Sequence, residues 1–66
     1  MIQVNDTMLD NFYKIMDRYD EFLFGDREDI RKQLETCLNT QGYWSGCSIR
    51  VFYDSNDGEF TVRSRF

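Results

Sequence analysis

NDTMLDNFYKIMDRYDEFLF, residues Asn5 to Phe24, is the longest apolar-rich run in the chain. At about 100° per residue it sorts into sectors, which predicts a helix of about five turns. Met8, Phe12, Ile15, Met16, Tyr19, Phe22 and Leu23 share an arc of roughly 120°, with Leu9 on its edge, the width of a core-facing stripe. Asp6, Asp10, Asp17, Asp20 and Glu21 fall together on a second arc, with Tyr13 among them. Asn11, Lys14 and Arg18 fill the remainder. Asn5, Asp6 or Thr7 can cap the first turn, and Gly25 can take the left-handed conformation that ends a helix.

Beyond Gly25 the pattern restarts. Asp26 stands where an N-cap belongs, and Glu28 and Asp29 suit the positive end of a helix dipole. Ile30, Leu34, Cys37 and Leu38 then follow i, i+4, i+7, i+8, a narrower apolar stripe that Gly42 terminates. A turn as short as Gly25–Asp26 predicts an αα-hairpin. In Gly42-Tyr43-Trp44-Ser45-Gly46 two large aromatics sit between glycines. Either Trp44 or Tyr43 folds back as a lid over the core, or Trp44 is a binding anchor on a short loop.

The last third is a β-hairpin by its alternation and by Asp57-Gly58. Cys47, Ile49, Val51 and Tyr53 face one way, as do Phe60, Val62, Ser64 and Phe66 on the return. Because side chains alternate with period two, only an even loop puts both apolar sets on one face. A two-residue loop pairs Tyr53 with Val62, and a four-residue loop at Ser55–Gly58 pairs Val51 with Val62. The other face then carries Arg50, Phe52, Arg63 and Arg65. Met1–Val4 alternates weakly and is either a short edge strand, an extended lead-in or a frayed tail. The expected fold is therefore α+β: two antiparallel helices packed on a C-terminal hairpin, order ααββ, with a core of Met8, Phe12, Ile15, Met16, Tyr19, Leu23, Ile30, Leu34, Leu38, Ile49, Val51, Tyr53, Phe60 and Val62.

Sixty-six residues make one domain, and a chain this short buries only about 60% of its unfolded surface. Aromatic residues at 17% compensate in part, yet a homodimer is a fair expectation. Net charge is −4, and the imbalance is local: residues 1–29 carry −5 and residues 30–66 carry +1. A generic nucleic-acid binder is basic, so nonspecific DNA or RNA binding is disfavoured. The start, MIQVNDTMLD, lacks the basic-then-apolar layout of a signal peptide, and no run of about 18 apolar residues is present, so a cytoplasmic protein is expected. Cys37 and Cys47 are then expected as free, buried thiols, the alternative being a disulfide if the second helix lies over the start of the first hairpin strand. Without histidine, and with the cysteines in separate elements, no metal site is expected, and no cofactor.

The absence of histidine also removes the commonest acid–base residue, and the paired carboxylates lie on exposed helix faces rather than in a water-excluding pocket. An enzyme is not expected. The acidic arc is either a solvated face or a docking surface for a basic partner, with Asp6, Asp10, Tyr13, Asp17, Asp20, Glu21 and Trp44 as candidate contacts. In size and charge the chain resembles the small acidic inhibitors that phages and mobile elements encode, of the anti-CRISPR or anti-restriction type. That resemblance implies a non-enzymatic inhibitor whose carboxylates occupy the phosphate-binding surface of a basic, nucleic-acid-handling protein. The alternative is a small nucleic-acid-binding or regulatory module using Arg50, Phe52, Arg63 and Arg65. A third is an assembly subunit that pairs through an open hairpin edge.

Overall fold

The computed structural model describes all 66 residues as two helices followed by a three-stranded antiparallel sheet. Helix α1 spans Asp6–Arg18, α2 spans Arg27–Thr40, and strands β1 (Tyr43–Ser45), β2 (Ile49–Asp54) and β3 (Glu59–Ser64) form a sheet in chain order. No helix is long and apolar enough to cross a membrane.

Helix α1 is shorter than its apolar pattern suggests. It starts as expected, with the Asn5 side chain accepting from the Met8 N–H at 2.9 Å. It stops at Arg18 rather than running to Phe24. The terminator is Asp20, at φ 52°. The Glu21 N–H bonds back to the Met16 carbonyl (2.9 Å) and the Asp20 N–H to the Asp17 carbonyl (3.4 Å), the paired closure of a Schellman motif. Aspartate tolerates the left-handed region better than most residues, and Glu21 gains from leaving the helix, as described below.

The link to α2 is therefore eight residues, Tyr19–Asp26, and not a tight turn at Gly25–Asp26. Gly25, at φ +109°, shapes the approach to α2 instead. There Asp26 and Asp29 form a reciprocal cap: the Asp29 N–H donates to Asp26 at 2.9 Å and the Asp26 N–H to Asp29 at 3.3 Å. Arg27, at the start of α2, reaches the first turns of α1, bonding Asp10 at 2.7 Å.

Met1–Val4 forms no strand. Asn39 holds it from α2, accepting from the Ile2 N–H and donating to the Ile2 carbonyl, both at 2.8 Å. Glu35 accepts from the Val4 N–H at 2.8 Å, and Val4 is buried. The extra strand lies elsewhere: Tyr43–Ser45, read above as a loop, is β1, with Trp44 paired to Val51. Strands β2 and β3 are joined by the four-residue loop, so Val51 faces Val62. The Asn56 N–H donates to the Asp54 side chain at 2.9 Å, and Gly58 takes φ +71°.

The buried cluster is Val4, Met8, Leu9, Phe12, Ile15, Met16, Ile30, Leu34, Leu38, Trp44, Ile49 and Val51, with Leu23, Tyr53, Phe60 and Val62 packed against its margin. Phe12 sits at its centre. The Trp44 ring meets it edge-on, 5.0 Å between centroids at 85°, and Phe60 lies 6.2 Å away. Tyr19 departs from expectation: beyond the last turn of α1 it is exposed.

Candidate functional site

The acidic arc divides when α1 ends at Arg18. Asp6 and Asp10 face Arg27, whose guanidinium also lies 5.6 Å from the Tyr13 ring centre. That side is partly neutralised, one guanidinium against two carboxylates, and these raise the Arg27 pKa, the Asp10 hydrogen bond most of all. Asp17 and Asp20 are different, being exposed and in no ion pair.

Glu21 leaves the arc altogether. Its carboxylate turns to the β1–β2 loop and accepts from the Cys47 N–H (2.7 Å), the Ser48 N–H (3.0 Å) and the Ser48 hydroxyl (2.8 Å). Burial works to raise its pKa, but these donors and the charge of Arg65 outweigh it and hold the carboxyl below its ordinary 4.5. Gly46 makes the approach feasible, since a Cβ there would run into the Glu21 carboxylate and sit 2.7 Å from the Trp44 ring. Arg65 closes the loop from the other side, donating to the Gly46 carbonyl at 2.7 Å. Glu21 and Arg65 are thus fastened to the fold and are not free surface charges.

Trp44 is equally unavailable. It is buried against Phe12 in β1, where it covers the core and cannot act as an anchor on a loop. The exposed aromatics are others. Phe22 and Phe24, in the α1–α2 connection, are 79% and 80% exposed. The sequence placed Phe22 on the apolar arc of a continuous helix; the early helix stop turns it outward. An open groove of about 280 Å³ is lined by Tyr13, Met16, Asp17, Glu21, Phe22 and Leu23, so an unpaired carboxylate, an exposed ring and a half-buried ring share one surface.

The outer sheet face is built differently. Tyr43 and Phe52 lie opposite each other with centroids 5.4 Å apart. Arg50 lies 5.1 Å over Tyr43 and Arg63 5.5 Å over Phe52. Arg50 and Arg63 are directly opposed on β2 and β3, and neither is in an ion pair. Arg65 is drawn away to Gly46, so two of the three expected arginines form this face.

Cys37 and Cys47 are free; Cys47 is exposed in the β1–β2 loop rather than buried. Burial raises the Cys37 pKa, which makes it a poor nucleophile. No three Asp, Glu or Cys side chains are grouped so as to hold a metal ion. Neither a family model, nor a curated relative, nor a solved structure matches the chain.

Proposed function

We propose that this chain is a non-enzymatic binding protein that blocks or modulates a basic, nucleic-acid-handling partner through Asp17, Asp20, Tyr13 and Phe22. The observation that carries the proposal is the pair of unneutralised carboxylates, Asp17 and Asp20, at the end of α1, with Phe22 79% exposed beside Asp17. Carboxylates oppose the lysines and arginines of a phosphate-binding surface, and desolvated aromatic side chains supply most of the affinity at such interfaces. The surface is narrower than the sequence suggested, because Glu21 and Trp44 belong to the fold and Asp6 and Asp10 lean on Arg27. A phage-encoded inhibitor of the anti-CRISPR or anti-restriction type fits this reading.

The test is displacement. Basic nucleic-acid-binding proteins carrying a labelled duplex are titrated with this chain and with Asp17→Lys/Asp20→Lys. Release of the duplex by the wild type, weakened by added salt and lost in the double variant, supports the proposal; equal release by both chains refutes it.

A second function is favoured by the outer sheet face, where Arg50 and Arg63 over Tyr43 and Phe52 make a small stacking platform for a single-stranded nucleic acid. Anisotropy of a labelled oligonucleotide at low salt decides it. Binding lost in Arg50→Ala and in Phe52→Ala supports it, and no binding to DNA or RNA rules it out.

A further inference from the structure

Strand β3 ends the sheet, and nothing pairs with its outer edge. In an antiparallel ladder, hydrogen-bonded pairs alternate with non-bonded ones. The Arg65 N–H to Ser48 carbonyl bond, 3.0 Å, marks that pair as bonded, and alternation makes Arg63–Arg50 and Thr61–Phe52 bonded as well. The N–H and C=O groups of Phe60, Val62 and Ser64 therefore point away from β2, toward the free edge. The strand holds no proline, and its ladder with β2 runs without a bulge.

The side chains along this edge are sorted by charge in an unusual way. On the outer face Arg50 stands opposite Arg63, and Asp54 stands opposite Glu59. Each is a like-charged cross-strand pair, an arrangement that destabilises an isolated hairpin. One end of the hairpin is doubly positive and the other doubly negative, with Phe52 and Thr61 between them. A two-fold rotation about Thr61, perpendicular to the sheet, carries each end onto the other.

We infer that β3 pairs antiparallel with β3 of a second copy, centred on Thr61, to give a continuous six-stranded sheet. Only residues whose backbone faces the edge can form the bonded pairs, and this register bonds Phe60 to Val62 of the second copy, twice. It sets Glu59 opposite Arg63 of the second copy, also twice, at a non-bonded position where side chains are closest. Each charged row then reads Arg50, Arg63, Glu59, Asp54 across the two chains, so both like-charged pairs gain opposite charges. Moving the centre to Val62 sets Thr61 opposite Arg63 and leaves Glu59 only Arg65, whose guanidinium is already held by the Gly46 carbonyl at 2.7 Å; moving it to Arg63 sets the two copies of Arg63 against each other. Charge therefore selects the register. On the inner face the half-buried Phe60 and Val62 meet across the axis, with Tyr19 and Phe66 flanking Val62. The second copy's Glu59 takes the place a phosphate would occupy beside Arg63, so dimer and nucleic acid would compete for that arginine.

Sedimentation equilibrium of the full chain over a wide concentration range tests the pairing. A dimer is expected. Glu59→Arg and Arg63→Glu each place like charges across the axis and should weaken the dimer roughly tenfold or more. Within one chain both changes relieve a like-charged pair, so denaturation of the dilute monomer should show no loss of stability. The combined Glu59→Arg/Arg63→Glu chain should dimerise again. Register is read by oxidation in a Cys37→Ala/Cys47→Ser background. Thr61→Cys should cross-link to itself, because a non-bonded pair at about 4.5 Å between Cα atoms suits a disulfide, and Arg63→Cys should not. A wild type that stays monomeric, single reversals that dimerise unchanged, or a double reversal that fails to recover would overturn the inference.

Discussion

At the scale of single residues, Glu21 decides most. A helix continuing through it would leave its carboxylate in water with the other acids of the arc. Three hydrogen bonds from Cys47 and Ser48 draw it across to the β1–β2 loop instead, and Gly46 leaves room for it. Gly46→Ala pushes a methyl into that carboxylate and into Trp44, so a loss of about 1–3 kcal/mol in chemical denaturation is expected. The pH dependence follows from the sign of the shift. The folded-state pKa of Glu21 lies below its ordinary value, so the stabilisation is present above about pH 4.5 and is lost as pH falls through the lower folded value. Glu28, beside Arg31, is shifted the same way, the hydrogen bond from Arg31 being the main cause, so the wild type loses stability in acid from more than one group. Glu21→Gln isolates one contribution: between about pH 6 and about pH 3 it should lose less stability than the wild type. Equal losses would mean that the clasp contributes nothing in solution.

At the scale of elements, what the sequence conveyed depended on whether the deciding interactions were local. The α2 cap, Asp26 with Asp29, and the period-two hairpin are local, and both are found where the pattern put them. The end of α1 is only partly local: the backbone bonds of Asp20 and Glu21 to Asp17 and Met16 close it, but the side chain of Glu21 is held from far along the chain. Apolar periodicity carries on through Phe22 and Leu23, and contacts more than twenty residues away draw the Glu21 carboxylate out. Strand β1 was obscured in the same way. Three residues between glycines resemble a loop until β2 supplies a partner, and Trp44 is oriented by Phe12, thirty-two positions earlier. The candidate surface suffered accordingly: Asp17 and Tyr13 were legible on their helix, whereas Phe22 was hidden by a helix that does not form there. Trp44 joins β1 to α1, so Trp44→Ala should cost about 3–5 kcal/mol and flatten the near-ultraviolet circular dichroism. A folded variant with unchanged stability would mean that the ring covers nothing.

At the scale of the whole molecule the difficulty is size. Sixty-six residues supply twelve buried side chains, while Tyr19, Phe22, Phe24 and Phe66 remain exposed. A domain this small, without disulfide or grouped metal ligands, has little reserve. Association adds stability by mass action, because anything that binds only the folded chain displaces the unfolding equilibrium. If β3 pairs with a second copy, the melting temperature should therefore depend on protein concentration. Raising the concentration about a hundredfold through the dimer dissociation constant adds on the order of 1 kcal/mol per protomer. For a domain of this length that corresponds to a rise of about 4–8 °C in Tm. Glu59→Arg, which relieves the repulsion from Asp54 within the chain but places like charges across the axis, should show a clearly smaller dependence of Tm on concentration over the same range. Differential scanning calorimetry at both extremes separates the cases. A wild-type Tm that does not move, or a Glu59→Arg Tm that moves equally, would leave this fold to stand on its single core and the opposed arginines without a structural counterpart.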